Sequence, residues 1–177
     1  YASSIVASMG LKDYSPLDLQ RVLAGKSATV RAGLGSNTDI VSGSAGSNDV
    51  ETMLQMVHLQ FNGVRRDPDL YKSFIARQVD AARNAMTQPE QVFRDAIVTT
   101  LYDNHPRVAR TPRPEDFIKV DMDRAIDIYK QRFSSARDLT FILVGSFDTA
   151  RIKPLLATYL ASLPAADLPV EARDTGV

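Results

Sequence analysis

"LTFILVGSFDTARIKPLLATYLASLP", Leu139 to Pro164, runs from a β-branched apolar stretch through a glycine and an aspartate into a helical pattern. Two readings of this joint lead to different proteins. A phosphate-binding turn needs several glycines, so that backbone N–H groups can approach the anion closely. Gly145 stands alone here. Asp148 is placed to cap the helix that follows, and its negative charge would repel a phosphate. The stretch therefore predicts a strand over Leu139–Val144, a bend at Gly145 and a helix over Thr149–Ser162, with no ligand required.

The same alternation of patterns extends outward in both directions. Alternating apolar residues predict two further strands, Ala28–Gly33 and Ile40–Ala45, separated by a short polar turn. From Asn48 the period becomes helical, with Val50, Met53, Leu54, Val57, Phe61 and Val64 on one stripe and Asn48-x-x-Glu51 as a capping box. Asp67-Pro68 opens a second helix, with the stripe Leu70, Phe74, Ile75, Val79, Ala82 and Met86. Thr87-x-x-Glu90 caps a third, which is expected to turn Phe93, Ile97, Val98 and Leu101 inward. A Pro- and Arg-rich loop, "DNHPRVARTPRP", leads to a helical turn at Glu115–Lys119 and a helix over Met122–Phe133. Ahead of the strands, Tyr1 to Met9 is helical and stops at Gly10. Ser15-Pro16 caps a short helix reaching about Ala24.

Composition narrows the function classes. A chain of 177 residues that is 44% hydrophobic can bury one full core. Lys and Arg total 21, balanced by 21 Asp and Glu, so the chain lacks the long-range positive field of a nucleic-acid binder. The clusters at Arg65–Arg66 and at Arg107, Arg110 and Arg113 read as solvated faces. With no cysteine, a disulfide framework and a cysteine metal site are both excluded. No apolar run approaches the roughly 18 residues of a membrane-spanning helix, and neither a membrane nor a nucleic acid is expected as a partner. The chain opens on Tyr1, without an initiator Met and inside a helical pattern, so a fragment is expected.

No catalytic constellation stands out. A zinc centre needs at least three protein ligands, and His58 and His105 are the only histidines. His58 has no His or acid at ligand-pair spacing and flanks an apolar stripe, and His105 precedes Pro106 in a loop. Ser3 and Ser4 lie in a helix, and "GSAGS" around Ser44 lacks the Gly-x-Ser-x-Gly elbow. Asp121 and Asp123 suit the first turn of a helix, where negative charge is favourable.

Leu101 to Pro164, "LYDNHPRVARTPRPEDFIKVDMDRAIDIYKQRFSSARDLTFILVGSFDTARIKPLLATYLASLP", resembles the pitrilysin/insulinase family of zinc metallopeptidases, the inverzincins. The His105-Pro106 loop, the short "PEDF" helix, the helix ending "YKQRF", the strand closing on Val-Gly, the Asp-capped helix and the final "SLP" follow that family's order. "GSNDVETMLQMVHLQF" and "DPDLYKSFIARQ" are similar to the two helices after its hairpin strands. Within the family, the chain resembles the PqqL-like bacterial periplasmic branch.

The resemblance implies an α+β fold: a small, mainly antiparallel sheet with several helices packed on one face, truncated at its N-terminus. It implies one domain over residues 1–164 and a linker over 165–177. The family's active half carries His-x-x-Glu-His on a helix before a glycine, with a distant Glu as third zinc ligand. Counting back from Gly10 places Tyr1 and Ile5 at the histidines and Ser4 at the catalytic glutamate. The distant ligand falls near Asp80 to Arg83. The chain thus resembles the first α/β domain of the degenerate C-terminal half, with no catalytic or metal residue of its own and zinc in the parent protein's other half. The expected role is a non-catalytic, chamber-forming, peptide-binding domain of a periplasmic metalloendopeptidase. Its partners would be the remaining domains and a peptide, with self-association possible through an exposed strand edge. The alternative is an inactive interaction subunit with the same fold.

Overall fold

A computed structural model describes residues 1–35, 38–103, 105, 108 and 110–166. The expected linker lies outside these residues from position 167 onward. The fold is α+β. In chain order it comprises α1 (Ala2–Met9), α2 (Pro16–Val22), β1 (Ala28–Leu34), β2 (Asp39–Ala45), α3 (Val50–Asn62), α4 (Pro68–Ala85), α5 (Pro89–Leu101), α6 (Pro114–Ile118), α7 (Met122–Arg132) and α8 (Thr149–Tyr159). The strands pair antiparallel, from Ala28 opposite Ala45 to Leu34 opposite Asp39. These residues group into two compact units, one built from residues 1–67 and 122–166, the other from Pro68–Asp121.

The first unit holds the hairpin, with α3 against both strands and α1 against β1 and α7. Its core is formed by the stripes that the helical spacing picks out. Ile5 and Met9 of α1 are fully buried, as are Tyr129 of α7 and Phe133 just beyond it. Phe61 meets Phe133 edge-on with ring centroids 5.6 Å apart, an arrangement that the aromatic quadrupole favours. Gly10 ends α1 with φ 89°, and a Cβ there would lie 2.2 Å from the Tyr14 carbonyl oxygen. Only glycine fits this stop. Ser15 caps α2 in a reciprocal box with Asp18.

In the second unit, Val79 and Ala82 of α4 pack with Phe117 of α6, flanked by Ile75. The Tyr71 hydroxyl donates to the Val120 carbonyl at 2.6 Å.

Four expectations are corrected. Leu139–Val144 forms no strand, because no described segment pairs with it. α5 is turned the other way from its sequence pattern: Phe93, Ile97 and Leu101 are exposed, and only Val98 of the expected stripe is half-buried. Its other half-buried residues, Gln91, Asp95 and Thr99, are polar. Asp95 accepts from the Thr111 N–H at 3.0 Å and from the Thr111 hydroxyl at 2.8 Å, and Gln91 bonds the same hydroxyl. Asn48 does not cap α3. The N-cap is Asp49, whose carboxylate instead accepts from the Ser27 N–H at 2.8 Å, across the end of the hairpin. Thr87 does not cap α5 either, since its hydroxyl donates back to the Asn84 carbonyl.

Candidate functional site

Of the positions that the resemblance sets against a zinc motif, Ser4 and Ile5 lie on α1 and Tyr1 is its N-cap. Ile5 is completely buried, Tyr1 is 56% exposed, and Ser4 is exposed. Residues at i, i+3 and i+4 of a helix can share one face, yet here the third belongs to the core and the first two to solvent. A phenol, a hydroxyl and a hydrocarbon also lack the imidazole and carboxylate donors that zinc selects. These residues do not fit the metal. Asp80 sits on α4 in an exposed ion pair with Arg83 at 3.3 Å. Among the described residues, no three His, Cys, Asp or Glu side chains come together in a way that could hold a metal ion.

The other candidates have structural partners. His58 Nδ1 lies 3.0 Å from the Tyr159 carbonyl, and its Nε2 lies 3.1 Å from Asn62 Nδ2. Because a carbonyl can only accept, Nδ1 carries the proton in this arrangement. The Tyr159 hydroxyl bonds both Glu51 and Gln55. One polar stripe of α3 therefore clasps the last residue of α8. His105 is part of a loop, its N–H donating to the Tyr102 carbonyl and its own carbonyl accepting from Val108.

Three of the clustered arginines pair within the chain. Arg66 makes a two-pronged pair with Asp123 at 2.7 and 3.0 Å, and this guanidinium holds the Asp123 carboxyl below its ordinary range. Arg110 does the same to Asp116 at 2.9 and 3.1 Å. Arg65 bonds Asp67 and the Asp13 carbonyl. Arg107 lies outside the described residues. Ser44 pairs across the hairpin with Thr29. Asp148 caps α8 by accepting from the Ala150 N–H at 2.8 Å.

What the sequence pattern did not reveal is the state of residues 139–147. Ile142 is 81% exposed and Val144 93%, while Phe141 and Phe147 are each 42% exposed. Leu139 donates to the Ala136 carbonyl, but from Thr140 to Phe147 the backbone makes no hydrogen bond with backbone among the described residues. An uncharged, β-branched stretch with open N–H and C=O groups has the chemistry of a strand awaiting a partner strand. The signal was present in its composition. Pairing is non-local, and nothing in the stretch itself states whether a partner is at hand.

No protein-family model matches the chain. Over 172 residues it is 24% identical to "Probable zinc protease PqqL" of Escherichia coli (strain K12), covering 97% of this chain and 18% of that protein. The crystal structure of the periplasmic protease PqqL from Escherichia coli superposes with a TM-score of 0.74 at 22% identity, over 98% of this chain and 19% of that one. The ferredoxin protease FusC, solved in complex with Arabidopsis ferredoxin, gives a TM-score of 0.75 at 16% identity over 97% of this chain and 19% of that one. The chain spans under a fifth of the length of the relatives it matches. The chain is thus similar in sequence to a probable zinc protease and shares its fold with segments of PqqL and FusC.

Proposed function

We propose that the chain is a non-catalytic domain of a zinc-dependent metalloendopeptidase, walling part of a peptide chamber while another domain of the parent protein holds the zinc. It is the first α/β domain of the degenerate C-terminal half. The observation that carries this reading is the occupancy of the motif positions, Tyr1, Ser4 and the fully buried Ile5, in a chain otherwise similar to a zinc protease along nearly its whole length. Residues 139–147 supply the peptide-binding chemistry, because an extended substrate satisfies open backbone groups as a strand does. The periplasmic location described for PqqL is the compartment proposed for this protein. A second reading, an inactive interaction subunit, draws support from the outward apolar stripe of α5.

The test combines metal, activity and binding measurements. After dialysis the chain is expected to hold far less than one zinc per molecule and to leave a fluorogenic peptide uncut, while a labelled extended peptide binds and Ile142→Lys weakens that binding. Chelator is expected to leave the melting temperature unchanged, since no metal stabilises the fold. Stoichiometric zinc lost on replacing His58, or chelator-sensitive cleavage by the pure chain, would refute the non-catalytic assignment. An intact His-x-x-Glu-His elsewhere in the same open reading frame selects the protease domain. Its absence selects the interaction subunit.

A further inference from the structure

α5 presents a solvent face unlike that of any ordinary surface helix. Amphipathic helices turn their apolar stripe to the core and their polar stripe to water, and α5 does the reverse. Val92 is 44% exposed, Phe93 68%, Ile97 42% and Leu101 73%, with Tyr102 beside them at 52%. Its attachment to its own unit is polar, through Gln91 and Asp95 to Thr111.

We propose that this face pairs with the same face of a second copy of the chain, antiparallel, about a two-fold axis near Ile97. Shape supports a self-complementary contact. Phe93, Ile97 and Leu101 form one i, i+4 ridge, and Val92, Ala96 and Thr100 form the next. Ala96, Ile97, Thr100 and Leu101 line a shallow apolar depression between the two ridges. A large ridge beside a groove with small residues on one wall is what ridges-into-grooves packing of like helices requires, and a two-fold contact uses the same patch twice.

Charge supports it too. A two-fold axis brings residues near it against their own copies, so a charged residue there would face its like. None of the six ridge residues is charged. The antiparallel sense also lets the two helix dipoles oppose favourably. As for area, the exposed parts of these side chains amount to roughly 500 Å² per copy, given the 150–250 Å² of a whole aromatic. About 1,000 Å² in total is at the small end for a specific interface, so the dimer is weak and exchanging.

Sedimentation across a concentration series tests this, run on the chain and on Ile142→Lys, which closes off the strand edge as a competing contact. The weight-average mass is expected to rise from one chain toward two between roughly 10 µM and 1 mM, as a small interface implies, and to do so equally in Ile142→Lys. Phe93→Glu and Leu101→Lys are each expected to stay monomeric with unchanged circular dichroism. Mixed in equal amounts they are expected to recover the dimer, because residue 93 of one copy faces residue 101 of the other. A chain that remains monomeric throughout the series, self-association lost in Ile142→Lys but kept in Phe93→Glu, or a mixture that stays monomeric would overturn the proposal. The zinc and peptide measurements do not involve α5, so the two readings fail separately.

Discussion

Tyr129 is only 1% exposed, yet it ends in a hydroxyl, and that hydroxyl donates to the Gln60 side-chain carbonyl at 2.9 Å. Burial pushes the phenol's pKa up, which favours the protonated, donating form. Tyr129→Phe leaves the buried Gln60 oxygen without a partner and is expected to cost about 1–3 kcal/mol, since desolvation is not repaid. Adding Gln60→Met should recover part of the loss, which chemical denaturation of both variants checks. If the single variant is as stable as the native chain, the bond contributes nothing.

Asp95 gives a pH-dependent counterpart. Partial burial pushes its pKa up, but the Thr111 N–H and hydroxyl, together with the Gln91 amide, outweigh this and leave it below the ordinary aspartate value. A depressed folded pKa means the stabilisation is fully present above the unfolded value of about 3.9 and is lost as pH falls through the folded one. Asp95→Asn should therefore lower the melting temperature at neutral pH and flatten its decline below about pH 4. Parallel acid limbs for the two proteins would contradict this. At this scale, caps were legible where the side chain had one use. Ser15 and Asp148 behave as their patterns suggest, whereas the Asp49 carboxylate is diverted to Ser27 and the Thr87 hydroxyl turns back to Asn84.

Among the elements, the stripes of α3 and α4 face inward as their spacing indicates, and α5 does not. Periodicity reveals that a helix has an apolar side. What that side meets is decided by the rest of the molecule. Residues 139–147 teach the same lesson for strands, because β-propensity records a tendency and pairing needs a second backbone. Their amides are expected to exchange at nearly unprotected rates in the free chain and to gain protection when an extended peptide is added. Val144→Lys should suppress that gain, since charge on an open edge discourages pairing. The change in stability should stay within about 0.5 kcal/mol at so exposed a position. Strong protection in the dilute chain would show that the backbone groups already have partners.

At the level of the whole molecule, family resemblance was legible from segment order along most of the chain, and the fold agrees with it. The division into two units was not legible, because the contacts that close the first one join residues far apart in sequence. Gln55, His58 and Glu51 reach Tyr159 across 104, 101 and 108 positions. This interruption bears on biosynthesis. Residues 68–121 emerge from the ribosome as one continuous piece and can close on neighbouring contacts at once. The first unit can lay α1 and α3 against the hairpin, but it cannot close its core until α7 and α8 have been made. Non-local closure is slow, and the waiting N-terminal segment is the part of the nascent chain a chaperone would hold. Limited proteolysis of stalled nascent chains is expected to find residues 68–121 resistant before residues 1–67, even though the latter are synthesised first. The reverse order would mean that the N-terminal segment folds without the helices that complete its core.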